Sequence, residues 1–191
     1  IWEGTSEINR AIITGYMMKK VLMEEISLRD YLKSTDDFLA IEPPDFTEDI
    51  FQSERLALES AKRLAALVFQ EALCEYGQDL KHEQQLSEAL ADIFTYIYTA
   101  ESVISRAIQS QSSNEIPNMS TVIARIFTAE SILNVKLLSN ICLNKIYSEV
   151  IPETYQETIV ELESRMTLNT DTISLKQSLA DYMITKKDYP F

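Results

Sequence analysis

The stretch EQQLSEALADIFTYIYTAESVISRAIQS, residues 83–110, places Leu86, Leu90, Ile93, Ile97, Ala100, Ile104 and Ile108 at steps of 4, 3, 4, 3, 4 and 4. That spacing lays one continuous apolar face along a helix of 3.6 residues per turn. Upstream, Thr47 is the expected N-cap of a second long helix, which ends at Gly77, a residue suited to the left-handed position after a helix. Its face reads Phe51, Leu58, Ala61, Ala65, Val68, Phe69 and Ala72. Downstream, the polar run SQSSNEIPN (110–118) is a turn. A third helix from about Ser120 to Val150 then carries Val122, Ile126, Leu133, Leu137 and Ile141 on one face. Pro152 stops that helix and opens a short one through Arg165. Asp171 or Thr172 caps a last helix, whose face includes Ile173, Leu175, Leu179, Tyr182 and Met183. Long helices joined by short turns pack antiparallel, so the predicted class is all-α: an up-and-down helical bundle of about five to six helices.

Composition agrees. Only 3 of 191 residues are Gly, where average usage gives about 13. That weighs against a sandwich of many tight turns and against a complete dinucleotide-binding βαβ domain. A hydrophobic fraction of 46% supports a real core, and the length fits one domain or one and a fraction. The balance of 17 Lys+Arg against 30 Asp+Glu gives a net charge of −13, which repels a polyanion and argues against nucleic acid as a partner. Cys74 and Cys142 stand apart, with His82 the single histidine, so the four ligands of a structural zinc site cannot be gathered and no metal is expected. Both cysteines read as buried thiols. No run of 18 uncharged apolar residues and no signal peptide is visible. Residue 1 is Ile rather than Met, which gives the expectation that the chain is a piece of a longer protein.

One repeat is present: IYTAESVI (97–104) and IFTAESIL (126–133), offset by 29 residues. Each copy breaks its apolar stripe with a glutamate. An antiparallel hairpin brings Glu101 level with Glu130, where like charges are costly without a cation. Lys62 and Arg63 are the candidate partners, giving a polar clamp that fixes helix register. A bridged di-metal site would need Glu-x-x-His pairs, and the sequence has none.

The chemistry-bearing segment is IWEGTSEINR, residues 1–10. Thr5 or Ser6 caps a helix running through Ile8, Ile12, Ile13, Tyr16 and Met17 to about Ile26, with Glu7 in its first turn. Gly4 lets a ligand approach the backbone, and the free N–H groups of the helix start face an anion or a carbonyl oxygen. Glu3 stands just ahead, where burial beside Trp2 and a ligand would raise its pKa toward that of a general base. By itself the pattern better describes an ordinary capped helix behind a loop glutamate.

IWEGTSEINRAII closely resembles the motif near the end of the acyl-CoA dehydrogenase catalytic core, which reads I-[YF]-E-G-T-[SN]-[EQD]-I-[QLM]-R. The resemblance implies an FAD-dependent enzyme that converts fatty acyl-CoA to trans-2-enoyl-CoA. In it Glu3 is the catalytic base for the α-proton, and the β-hydride goes to the flavin. It also implies that Trp2 and Gly4 meet the acyl-CoA substrate, and that Thr5, Ser6 and Glu7 lie at the adenosine-diphosphate part of FAD. Trp2 departs from the usual Tyr or Phe, which bears on acyl-chain length. The helices beyond the motif are similar to the C-terminal extension of the very-long-chain branch.

On this reading residues 1–28 end the catalytic core, 29–50 are an acidic Pro-containing linker, and 51–191 are the helical extension. The implied partners are acyl-CoA, an electron-transfer flavoprotein as acceptor, and a second copy in a homo-oligomer. FAD is not expected to stay on these residues alone. The place is the cytoplasm of a bacterium or the mitochondrion of a eukaryote. Residues 29–54 hold eight acids (Asp30, Asp36, Asp37, Glu42, Asp45, Glu48, Asp49, Glu54) against Arg29 and Lys33. Anionic lipid repels such a segment, so membrane contact is not expected there. The alternative reading is a non-catalytic helical dimerisation or interaction module.

Overall fold

A computed structural model describes residues 4–41, 49–110, 119–148 and 150–186. Their elements, in order, are α1 (Ser6–Leu22), α2 (Leu28–Lys33), α3 (Thr35–Ala40), α4 (Gln52–Tyr76), a 3-10 turn (Gly77–His82), α5 (Gln84–Ser110), α6 (Met119–Tyr147), α7 (Glu153–Arg165) and α8 (Thr172–Lys186). There is no strand among the described residues, and the antiparallel bundle expected from the periodicity is what forms. The helix number exceeds the expected five to six because α2 and α3 occupy the first part of the segment read as a linker. Residues 42–48, which include Thr47, lie outside the described residues.

α4, α5 and α6 form the centre. Leu64, Val68 and Phe69 of α4 meet Leu90, Ile93 and Ile104 of α5 and Ile132, Val135 and Leu143 of α6 in one buried cluster. Each such side chain is worth about 1.5–3 kcal/mol when fully buried. Phe69 and Phe94 meet edge to face, with ring centroids 5.3 Å apart. Gly77 follows α4 at φ +52°, ψ −127° and lets the chain turn into the 3-10 segment. At the other end of α4, Asp49 accepts the Phe51 N–H at 3.0 Å and pairs with Arg55 at 2.9 Å. Arg125 at the start of α6 reaches the buried Glu54 at 3.5 Å and the Ile50 carbonyl at 3.2 Å.

Three expectations change. α1 stops at Leu22 rather than about Ile26, because Glu24 takes a left-handed φ of +56° and the Glu25 N–H returns to the Lys20 carbonyl at 2.9 Å. Lys20 and Glu25 close that turn with an ion pair. On α5, Ile108 is partly exposed and Ala107 takes its place in the core. On α6 the expected face is largely turned outward: Leu133, Leu137 and Ile141 are 66%, 59% and 51% exposed, whereas Ile132 is 1% exposed. α6 is apolar on two sides, and the side it buries is the one with small residues, Ala124, Thr128, Ser131 and Ser139. Those let α4 and α5 come close.

Two arginines fasten α2 and α3 to the bundle. Arg63 of α4 is buried. It donates to Ser34 Oγ (3.0 Å), Thr35 Oγ1 (3.3 Å) and the Tyr31 carbonyl (3.3 Å), and it pairs with Glu59 at 3.1 Å. Arg165, the last residue of α7, donates to the Phe38 carbonyl (3.1 Å) and the Leu39 carbonyl (2.5 Å). Phe38 lies between the two guanidinium groups, at 4.5 Å from Arg63 and 5.2 Å from Arg165. The ends of both short helices thus have their orphan carbonyls satisfied by side chains from elsewhere.

Candidate functional site

The motif residues sit at the exposed start of α1. Thr5 is extended (φ −65°, ψ 168°), and its hydroxyl accepts the Ile8 N–H at 3.5 Å while its carbonyl takes the Asn9 N–H at 3.0 Å. Glu7 curls back over its own amide N–H and the Thr5 hydroxyl, and these two donors hold its carboxyl below the ordinary range. Gly4, Thr5, Ser6 and Glu7 are all exposed. A Cβ on Gly4 would stand 3.1 Å from Ile8 Cγ2, a contact that the exposed Ile8 side chain would have to relieve by a few tenths of an ångström. Trp2 and Glu3 lie outside the described residues.

Behind this corner α1 is tied to α5. Arg10 Nε bonds Asp92 at 2.7 Å, its Nη1 pairs with Glu88 at 3.2 Å, and the Thr14 hydroxyl donates to the Ser87 carbonyl at 2.7 Å. Ile13 and Met17 are half-covered by the bundle, while Ile8, Ile12 and Tyr16 face outward. The corner therefore offers two hydroxyls, an open approach over Gly4 and one carboxylate, on a helix that cannot easily shift. Hydroxyls and a carboxylate fit the ribose-bearing end of a nucleotide cofactor such as FAD. With all four residues exposed they enclose no ring system by themselves.

The repeat glutamates behave differently from the expected clamp. Glu101 pairs with Lys62 at 2.6 Å, and Glu130 pairs with Lys176 of α8. Each is about half exposed and has its own lysine, so neither needs a shared cation. Lys62 is a partner as expected, but Arg63 serves Glu59 instead. Among the described residues no group of three or more His, Cys, Asp or Glu is placed to hold a metal ion. Of the two thiols only Cys142 is buried, and burial pushes it up to about 12; Cys74, on the outer side of α4, is exposed.

Sequence reasoning named Arg63 only as a partner for the repeat glutamates and gave Arg165 no role, since a buried arginine leaves no periodic mark. It also passed over an apolar cleft beside Lys62, whose walls come from four separate helices.

The model of the acyl-CoA dehydrogenase C-terminal domain matches residues 60–160. A probable acyl-CoA dehydrogenase of Bacillus subtilis (strain 168) is 29% identical over 119 residues, covering 60% of this chain and 20% of that protein. The crystal structure of an acyl-CoA dehydrogenase complexed with FAD from Bacillus anthracis aligns with 99% of this chain and 32% of its own, with a TM-score of 0.84. At 20% identity that second likeness is one of fold. This chain thus spans a third or less of either relative, and the residues under the family's model are the α4–α7 bundle and its turns. The chain belongs to the acyl-CoA dehydrogenase family.

Proposed function

We propose that the chain is the C-terminal part of an FAD-dependent acyl-CoA dehydrogenase that introduces a trans-2,3 double bond into a fatty acyl-CoA. The observation that carries this reading is the order Trp2-Glu3-Gly4-Thr5-Ser6-Glu7 leading straight into a Thr5-capped helix, ahead of a family-matched bundle. Glu3 accepts the α-proton of the thioester. The α C–H bond breaks, its electron pair becomes the new C=C, and the β C–H bond breaks with its pair leaving as hydride. FAD, when bound, supplies the acceptor for that hydride. An α-proton is too weakly acidic for a carboxylate in water, so charge on the thioester oxygen must be met by fixed donors in a dry pocket. The backbone N–H of Glu3 is one such donor. Gly4 gives the thioester its room, and Trp2 lines the acyl channel. Thr5, Ser6 and Glu7 hold the nucleotide end of the cofactor through hydroxyl and carboxylate contacts.

The acceptor beyond the flavin is an electron-transfer flavoprotein, and the working protein is a homo-oligomer. A second role for the bundle, as an interaction module, is favoured by the outward Leu133, Leu137 and Ile141 of α6, since contiguous exposed apolar residues mark contact surfaces.

The test is Glu3→Gln in the full-length enzyme. Dye reduction with acyl-CoA should be lost while flavin absorbance is retained; turnover comparable to the unaltered enzyme removes Glu3 as base. The 191-residue chain alone should be colourless and inactive, and a yellow, active preparation overturns the view that the remaining cofactor contacts lie outside it.

A further inference from the structure

Well away from the Gly4–Glu7 corner, two cavities meet at one ion pair. Met17 and Val21 of α1, Leu28 of α2, Ala66 and Phe69 of α4 and Phe94 of α5 are among the walls of an apolar cleft of about 510 Å³. A smaller cavity of about 330 Å³, with Arg55 and Ser105 in its lining, adjoins it. Lys62, Glu59 and Glu101 line both. From Thr5 to Met17 is twelve residues of helix, or about 18 Å at 1.5 Å per residue, so the cleft is separate from the motif corner.

The charges at the junction are unequally committed. Glu59 is held by Arg63 at 3.1 Å and by the Tyr31 hydroxyl at 2.9 Å. Lys62 has Glu101 at 2.6 Å and Glu59 only at 4.0 Å. Glu101 is about half exposed, and its side chain can turn to water. An incoming carboxylate would take its place on Lys62 with little loss, because an exposed ion pair of this kind is worth little. An open apolar cleft of small-molecule size, next to a lysine with one close and displaceable partner, is complementary to a single-tailed amphiphile.

We propose that this junction binds one long, unbranched fatty acid, with its tail in the apolar cleft against Met17, Phe69 and Phe94 and its carboxylate on Lys62 in place of Glu101. The site is independent of the catalytic reading, and its tail is held by burial alone.

The probe is oleate, titrated into the 191-residue chain by calorimetry. Saturable one-to-one binding is expected, and in a series of shorter saturated acids the affinity should climb roughly three- to fourfold for each methylene buried. Met17→Trp, which fills the cleft from the half-exposed side of α1, should abolish binding while leaving the circular dichroism melt in place. Lys62→Gln should weaken oleate about fivefold or less, as expected for a pair open to water. Glu101→Gln should tighten it, since the competing carboxylate is gone; a merely greasy surface would not respond in that direction. Absence of saturable binding, binding that survives Met17→Trp, or Glu101→Gln that weakens oleate each overturns the proposal.

Discussion

Arg63→Ala should detach the α2–α3 segment from an otherwise intact bundle. The residue is 8% exposed, and its side chain makes three hydrogen bonds, one ion pair and two ring contacts, to Tyr31 at 4.7 Å and Phe38 at 4.5 Å. Hydrogen bonds to a charged group contribute about 1.5–3 kcal/mol, and each cation–π contact about 0.5–1 kcal/mol when partly exposed. Those contributions share one side chain and do not add fully, so a loss of about 3 kcal/mol is expected. Glu59 would keep only Tyr31 and Lys62 as partners, which adds to the loss in the same direction. Arg63→Lys retains the charge but cannot fork between Ser34 and Thr35 or stack between rings, and should lose about half as much. Urea unfolding followed by circular dichroism gives the stability, and amide exchange over residues 28–40 gives the location. A loss below about 1 kcal/mol, or unchanged exchange over α2 and α3, would refute the reasoning.

Neighbouring positions on α6 should respond in opposite ways. Ile132→Ala should cost about 2–5 kcal/mol in urea unfolding, whereas Leu137→Gln should change stability by about 0.5 kcal/mol or less. The backbone of Gly77 sits at φ +52°, and a Cβ added there would meet nothing within 4 Å. Gly77→Ala should therefore lose about 1–3 kcal/mol from conformation alone, measured by thermal melting. Native protein at pH 8 should react with a thiol reagent at Cys74 and spare Cys142, as peptide mass spectrometry would show; fast labelling of both would contradict the burial of Cys142. The Cys142 thiol is raised from 9.0 to about 12 by burial. Its contribution to stability is fully present below about pH 9, because folded and unfolded chains are both protonated there. It is lost as pH rises from about 9 to about 12, where only the unfolded thiol ionises. A Cys142→Ala variant should lack that alkaline component.

The sequence made the long helices legible because their apolar steps are regular and their ends carry strong signals: Thr5 before α1, Gly77 after α4, Pro152 before α7 and Asp171 before α8. It misjudged α6 because Leu133, Leu137 and Ile141 form as good a stripe as Ile132, Val135 and Leu143. Hydropathy cannot choose between two apolar sides; the small residues facing α4 did. It read residues 29–50 as a linker because seven acids and the Pro43–Pro44 pair interrupt the apolar periodicity, and much of what holds α2 and α3, Arg63, Arg165 and the core that Leu28 and Phe38 pack on, is distant in the chain. The Glu101–Glu130 clamp failed for a related reason: level in a hairpin does not mean pointing inward, and each glutamate found a lysine at the surface. For the site, the capping geometry of Thr5 and the openness at Gly4 follow from the residue types, whereas what stands opposite them does not.

The bonds from Arg165 to the Phe38 and Leu39 carbonyls join residues 127 and 126 apart in the chain. Closing a loop costs chain entropy that grows only slowly with its length, about 0.6 kcal/mol per doubling, and the cost is smaller still once the intervening helices are in place. α4, α5 and α6 can gather through the local contacts of consecutive hairpins. α2 and the start of α3 are held by Arg63 and Glu59 of α4, and Arg165 of α7 adds the hold on the end of α3. The end of α3 is thereby held from two directions, by Arg63 of α4 and by Arg165 of α7, so that one aromatic side chain, Phe38, ties an early segment of the chain to a late one.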